Sequence, residues 1–126
     1  MKIIHTEYSK DNVGHYVPAV EYNGTLYISG QLSINPATQT KVEGGIENET
    51  RQALKNLDNI LSASGVTRNE VIMCKIYTPD VEYWDIINGI YKEFFEKHKP
   101  ARVIIPTTAL HHDCLIEIEA ITKSME

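Results

Sequence analysis

Two segments near the C-terminal end hold the residue types best suited to chemistry: Pro100-Ala101-Arg102-Val103-Ile104-Ile105 and Leu115-Ile116-Glu117-Ile118-Glu119-Ala120-Ile121. Both read as strands. If they pair as a hairpin closed by residues 110–113, Ala109 faces Cys114, Ile104 faces Glu119 and Arg102 faces Ile121. Arg102, Ile104, Glu117 and Glu119 then share one face, with Arg102 and Glu119 diagonal neighbours roughly 7–8 Å apart. A slip of one residue would move Arg102 to the opposite face from Glu119. A guanidinium can grip a carboxylate ligand with two parallel hydrogen bonds, and a carboxylate nearby can orient or deprotonate a water. The same spacing also fits a plain salt bridge from Arg102 to Glu119 or Glu117. On spacing alone that structural reading is the favoured one, because ion pairs commonly occupy such positions without chemistry.

Other polar features have competing readings. His111-His112-Asp113-Cys114 invites a zinc site, but adjacent histidines project differently and no second ligand pair has a fitting spacing. A polar hairpin loop is the default there. His111, beside the candidate site, or His15 could instead supply a proton near neutral pH. Gly44-Gly45 ahead of a helix could cradle an anion, or simply form a junction. His98 suits the C-terminal end of a helix. Cys74 and Cys114 sit in apolar runs with no Cys-x-x-Cys pair, so each reads as a buried reduced thiol.

The elements that must position these residues follow from periodicity and turn chemistry. Lys2 to His5 is a first strand. Tyr16 to Tyr22 and Thr25 to Gly30 flank Asn23-Gly24, a preferred two-residue hairpin turn; Pro18 makes the first of these an edge strand or gives it a bulge. Gln31 to Gly45 reads as a loop. A helix starts near Ile46, with Ala53, Leu54, Leu57, Ile60 and Leu61 at helical spacing and Gly65 as its stop; Glu47 and Glu49 suit its first turn. Val71 to Tyr77 is a strand. A second helix spans Val81 to His98, with Trp84, Ile87, Ile90, Tyr91, Phe94 and Phe95 as a core stripe. Ala101 to Ala109 and Cys114 to Thr122 are the last strands. The order βββαβαββ predicts an α+β fold, a mixed six-stranded sheet with two helices on one face.

Several strands are apolar on both sides. Val103 and Ile105 oppose Ile104, and Val71 and Met73 oppose Ile72, Cys74 and Ile76. With the helices covering Ile116, Ile118 and Ala120, the glutamates fall on the uncovered face. A sheet apolar on both sides needs a second cover, here a second copy of the chain, or else the sheet curls around its own side chains.

Composition limits the classes of function. The chain has 126 residues, 42% hydrophobic and 23% charged, which suits one globular domain spanning 1–126. No apolar run approaches a membrane span, and the N-terminal residues lack a signal-peptide pattern, so a cytoplasmic protein is expected. The net charge of −5 and scattered Lys and Arg argue against strong nucleic-acid binding.

Arg102 in its Pro-Ala-Arg run, followed by Ile-Glu-Ile-Glu-Ala-Ile, resembles the signature of the Rid (YjgF) family. Ile28-Ser29-Gly30-Gln31-Leu32 is similar to that family's Ser-Gly-Gln segment. Gly14-His15-Tyr16 falls at its Gly-Pro-Tyr run, and Asn88 precedes Tyr91 and Phe94-Phe95 as in its second helix. The resemblance spans nearly the whole chain. It implies a chorismate-mutase-like fold and a homotrimer with sites at subunit interfaces. It further implies hydrolysis of 2-iminobutanoate and 2-iminopropanoate to 2-keto acids and ammonia, with no metal and no organic cofactor. Carried over, Arg102 holds the substrate carboxylate and Glu119 orients the water, while Tyr16, Gly30, Asn88 and the backbone of Ile104 line the pocket with His111 beside them. A non-catalytic carboxylate-binding trimer, and an RNA-cleaving translation inhibitor, are the alternatives the resemblance leaves. The chain departs from the common pattern around this pocket: His15 for proline, Val17-Pro18 for a polar pair, Ile104 for cysteine, threonine or valine, Pro106 for glycine, and His111 for proline.

Overall fold

A computed structural model describes residues 1–9 and 14–125. In chain order its elements are β1 (Lys2–Ile4), β2 (Ala19–Tyr22), β3 (Thr25–Leu32), β4 (Ile34–Asn35), β5 (Thr40–Lys41), α1 (Gly45–Ala63), β6 (Val71–Thr78), α2 (Trp84–Phe95), β7 (Ala101–Pro106) and β8 (Glu117–Lys123). Six strands form one mixed sheet in the order β1-β2-β3-β8-β6-β7; β4 and β5 pair separately. Among the described residues no helix is long and apolar enough to cross a membrane.

The β2–β3 hairpin turns at Asn23 (φ 52°) and Gly24 (φ 80°), the positive values a tight hairpin requires. Pro18 lies just outside β2, and its carbonyl accepts a hydrogen bond from the Ser29 amide. β2 is neither the edge strand nor the bulged one expected: it lies between β1 and β3, and both of its ladders run without a shift. The segment from Gln31 to Gly45 is more ordered than a loop. It includes the end of β3 and the β4–β5 ladder, and the Asn56 amide of α1 donates to the Leu32 and Ile34 carbonyls. The second helix starts with a 3-10 turn and stops at Glu96, whose φ of 58° breaks the helical path before His98. The His98 ring bonds the Val71 carbonyl of β6 at 2.7 Å instead of capping its own helix.

The largest correction concerns β7 and β8. They are not a hairpin: β6 lies between them, parallel to β7 and antiparallel to β8. The register sets Cys74 opposite both Arg102 and Ala120, and Lys75 opposite both Val103 and Glu119. Side chains at paired positions share a face. Arg102 and Ile104 therefore lie on the helix side, and Glu117 and Glu119 on the open side. A parallel partner inserted between two sequence-adjacent strands leaves no local signal, since a turn of suitable length serves either arrangement.

The core sits between the sheet and the two helices. Leu54, Leu57, Leu61, Ile76, Ile87, Ile116 and Ile118 are all essentially inaccessible. Ile116, Ile118 and Ala120 are buried beneath the helices as anticipated, while Glu117 and Glu119 are half-buried on the other side. The ladder shifts between Val71 and Met73, which turns Val71 inward with Cys74 and Ile76 and leaves Ile72 49% exposed. An apolar row crosses the open face through Ile3, Val20, Tyr27, Ile121 and Met73.

Glu49 is buried just past the first turn of α1, and its Oε1 accepts bonds from Ser33 Oγ at 2.7 Å and the Leu115 amide at 2.8 Å. It thus ties the end of β3 to the segment leading into β8. Glu49→Leu should leave both donors unpaired, at about 1–3 kcal/mol each, and lower the thermal midpoint by several degrees, as scanning calorimetry would register.

Candidate functional site

The β3 ladder to β8 is interrupted between Ile28 and Gln31, where Ser29 and Gly30 bulge. Such a bulge re-aims the chain beside a site. Ser29 Oγ donates to the Val17 carbonyl at 2.6 Å and its amide to the Pro18 carbonyl at 3.0 Å, fixing the segment that carries Tyr16. At Gly30 an added Cβ would come within 2.7 Å of Glu117 Oε2. The bulge therefore needs glycine so that the carboxylate can lie against the strand.

Beside the bulge opens a cavity of about 740 Å³. Of the residues singled out from sequence, it gathers Tyr16, Gly30, His111 and Glu119. Glu117 joins them, with His112, Asn56 and Asn59 farther along the wall. Glu119 Oε1 accepts from the Tyr77 hydroxyl at 2.8 Å, and the Lys75 ammonium lies 3.9 Å away. Accepting that bond raises the affinity of Tyr77 for its proton. Burial, then the charge of Glu119, raise that of Glu117, and His111 partly opposes them.

Arg102, Asn88 and Ile104 stand apart from this cavity, on the far side of the sheet. Arg102 Nη1 donates to Asn88 Oδ1 at 2.9 Å. Its guanidinium carbon lies 4.7 Å from the Tyr91 ring centroid and 5.4 Å from that of Trp84, within cation–π range. Among the described residues no carboxylate pairs with it, which removes the salt-bridge reading to Glu117 or Glu119. Tyr91 is buried in the core as expected and also flanks this cation, whereas Trp84, expected in the same core, flanks it while 41% exposed. Ile104 packs half-buried against the core. Cys74 sits beneath, its thiol pushed up to about 11 by burial, which leaves it unreactive near neutral pH.

Several residues of this arrangement escaped sequence reasoning. Tyr77 and Lys75 reach Glu119 only because β6 neighbours β8, a pairing with no local signature. The His111 and His112 rings do not diverge but lie against each other, tilted by 55° with centroids 3.9 Å apart. Cys114 is buried away from solvent and unpaired. Among the described residues no three His, Cys, Asp or Glu side chains converge to hold a metal ion. A Cβ on Gly44 would collide with the Asn48 amide, which donates to the Glu43 carbonyl at 3.0 Å.

Comparison with known proteins gives this geometry a context. Residues 7–124 match the family model described as endoribonuclease L-PSP. A RutC family protein of Pyrococcus horikoshii is 40% identical over 120 residues, covering 95% of each chain. A Mus musculus protein named 2-iminobutanoate/2-iminopropanoate deaminase is 38% identical over 120 residues, which are 95% of this chain and 89% of that one. The crystal structure of E. coli TdcF with bound serine superposes with a TM-score of 0.90 at 29% identity, over 98% of both chains. The bulge, the glutamate pair and the stacked arginine are thus set in a fold and sequence shared along nearly the whole chain, which belongs to the endoribonuclease L-PSP family, the Rid or YjgF family.

Proposed function

We propose that this chain, a single Rid domain, is a cytoplasmic hydrolase that converts 2-imino acids such as 2-iminobutanoate and 2-iminopropanoate to 2-keto acids and ammonia. The observation that carries the reading is that Arg102 and Glu119 project from opposite faces of one sheet. A site using both must draw them from two copies of the chain: Arg102, Asn88 and Ile104 from the β7 edge of one, and Tyr16, Gly30, His111 and Glu119 from the cavity of the next. Heterologous contacts of that kind close into rings, and a homotrimer is the assembly we assign. The apolar row on the open face supports burial against other subunits, since an exposed apolar stripe marks an interaction surface.

In this reading Arg102 receives the substrate carboxylate on the donors that Asn88 leaves free, with the rings of Tyr91 and Trp84 holding the guanidinium plane. Glu119, held at one oxygen by Tyr77, takes a proton from water as its oxygen adds to the iminium carbon. The resulting carbinolamine loses ammonia to give the keto acid. Two carboxylates in the cavity disfavour a phosphodiester, so the deaminase reading stands ahead of RNA cleavage. The relative that holds serine, and the relative named as an imine deaminase, support an amino-acid-like ligand. Ammonia release from 2-imino acids generated in situ, measured together with the mass in solution by light scattering, tests both parts. A trimer that accelerates release is expected. A stable monomer at micromolar concentration, or a rate equal to the uncatalysed one, would contradict the proposal.

A further inference from the structure

The cavity is larger than a four-carbon substrate requires. Its volume of about 740 Å³ falls in the range that takes drug-sized ligands, and a small imino acid beside Glu119 leaves most of that space empty. In the reading above the substrate carboxylate goes out to Arg102 of the partner subunit and the water comes from Glu119. The side chain on the imine carbon is then the part left to enter the rest of the cavity. We infer that His111 and His112 select this side chain, and that the preferred substrates are 2-imino acids of glutamine length whose side chain ends in a carboxamide; this rests on the deaminase reading above.

Both imidazoles line the cavity and both are exposed. Among the described residues neither ring has a hydrogen-bond partner; each has the other ring against it. The turn that carries them is nevertheless tied down at several points. The Asp113 amide donates to the Leu110 carbonyl at 3.1 Å, and the Cys114 amide to the His111 carbonyl at 3.2 Å. Lys41 Nζ donates to the Asp113 carbonyl at 3.3 Å, and the Leu115 amide is fixed on buried Glu49. His112 (φ 57°) and Asp113 (φ 56°) both hold left-handed backbone. Residues other than glycine keep such conformations where their surroundings over-determine them, and these places cluster at ligand clamps. The two rings are therefore aimed by the fold, with their nitrogens left for a ligand.

A neutral imidazole offers one N–H donor and one lone-pair acceptor. Two of them side by side can give an N–H to a carbonyl oxygen and take one from the adjoining amino group, the pattern a carboxamide presents. The charge of the cavity decides against a carboxylate of the same shape. Histidines apart, Glu117 and Glu119 are the charged residues of its described lining, with no Lys or Arg among them, so a second negative charge on the substrate meets repulsion. Ile34 and Ile60 offer apolar wall to the methylenes, and Gln39 and Asn59 are neutral.

The test measures ammonia release by the full wild-type chain from 2-imino acids made in situ by amino-acid oxidases from glutamine, norleucine, glutamate and 2-aminobutyrate. Norleucine controls for length and glutamate for shape. We expect kcat/KM for the glutamine-derived imine to exceed each of the others roughly tenfold, as two neutral hydrogen bonds would give. His112→Gly suits the positive φ and removes the ring; it should lower the glutamine-to-norleucine ratio roughly fivefold, the worth of one hydrogen bond. His111→Phe, which keeps a ring without its nitrogens, should lower that ratio too. A wild type that handles any of the other three imines as well as the glutamine-derived one would overturn the assignment, as would a ratio that neither variant lowers. Wild-type protein that accelerates ammonia release from none of the four would overturn the deaminase reading itself, a result distinct from an active enzyme indifferent to the carboxamide.

Discussion

Arg102→Lys should cost on the order of a thousandfold in kcat/KM, although it conserves charge. A guanidinium is planar and presents its donors as a rigid fork, whereas an ammonium is a point charge on a flexible stem. Here one arm of the fork is committed to Asn88 Oδ1 at 2.9 Å, and the plane is flanked by Tyr91 and Trp84. Lysine can satisfy Asn88 or meet a ligand carboxylate, but it cannot hold both in one plane. Losing a charge-assisted bond costs about 1.5–3 kcal/mol, roughly 10- to 150-fold in affinity. A reacting carbon displaced by about 1 Å can lose about another 100-fold. Calorimetry should therefore find weaker 2-keto acid binding as well as slower turnover. Because Arg102 has no carboxylate partner among the described residues, the competing account is now different from a salt bridge: Arg102 would merely staple β7 to α2. That account expects a lower thermal midpoint with keto acid affinity intact in Arg102→Lys and Arg102→Ala, and such a pair of results would reduce the site to Glu119 and its cavity.

The sequence made the layers readable and left the site's geometry hidden. Local signals carried the first. Asn23-Gly24 specified its hairpin because positive φ is needed at both positions, and Leu54, Leu57 and Leu61 marked the buried stripe of α1 by spacing alone. The inward set Ile116, Ile118 and Ala120 followed from alternation. The site depended on which strand lies between β7 and β8, and the answer is β6, whose residues precede their β7 partners by 28 positions, as Met73 does Ala101. That insertion reverses the faces of Arg102 relative to Glu119, and with it the simplest inference about how the two cooperate. Resemblance to a family supplied residues to consider, and pairing logic supplied the wrong contact between them, since the ladder sets Arg102 and Glu119 on opposite faces. Tyr77 was beyond both, since an isolated tyrosine in a strand reads as packing until its neighbour's carboxylate is found 2.8 Å away. Glu49 looked like a first-turn charge complementing the helix dipole, and proved to be a buried clamp, because the donors it binds lie in two segments distant in sequence.

Glu119→Gln should lower turnover by about 100- to 10,000-fold while leaving 2-keto acid binding in place, the range expected when base assistance to water is lost. The substitution keeps the shape of the side chain and an oxygen to accept from the Tyr77 hydroxyl, so the cavity wall should not move. It removes the one property a base requires, since a carboxamide does not take a proton from water. A structural explanation would need Glu119 to stabilise the sheet through Lys75. That pair is separated by 3.9 Å, with the two side chains 42% and 39% exposed, and ion pairs so solvated contribute little. The thermal midpoint should accordingly change far less than the rate. Tyr77 provides a second readout that does not depend on activity. Its proton is held chiefly by the bond to Glu119 and additionally by burial and by the charges of Glu119 and Glu117; a carboxamide still accepts the bond but carries no charge, so Glu119→Gln should let it ionise at lower pH in an ultraviolet titration, and Tyr77→Phe should remove the signal. Turnover unchanged in Glu119→Gln, with Tyr77 ionising earlier, would mean that the pairing is real but the water is activated elsewhere.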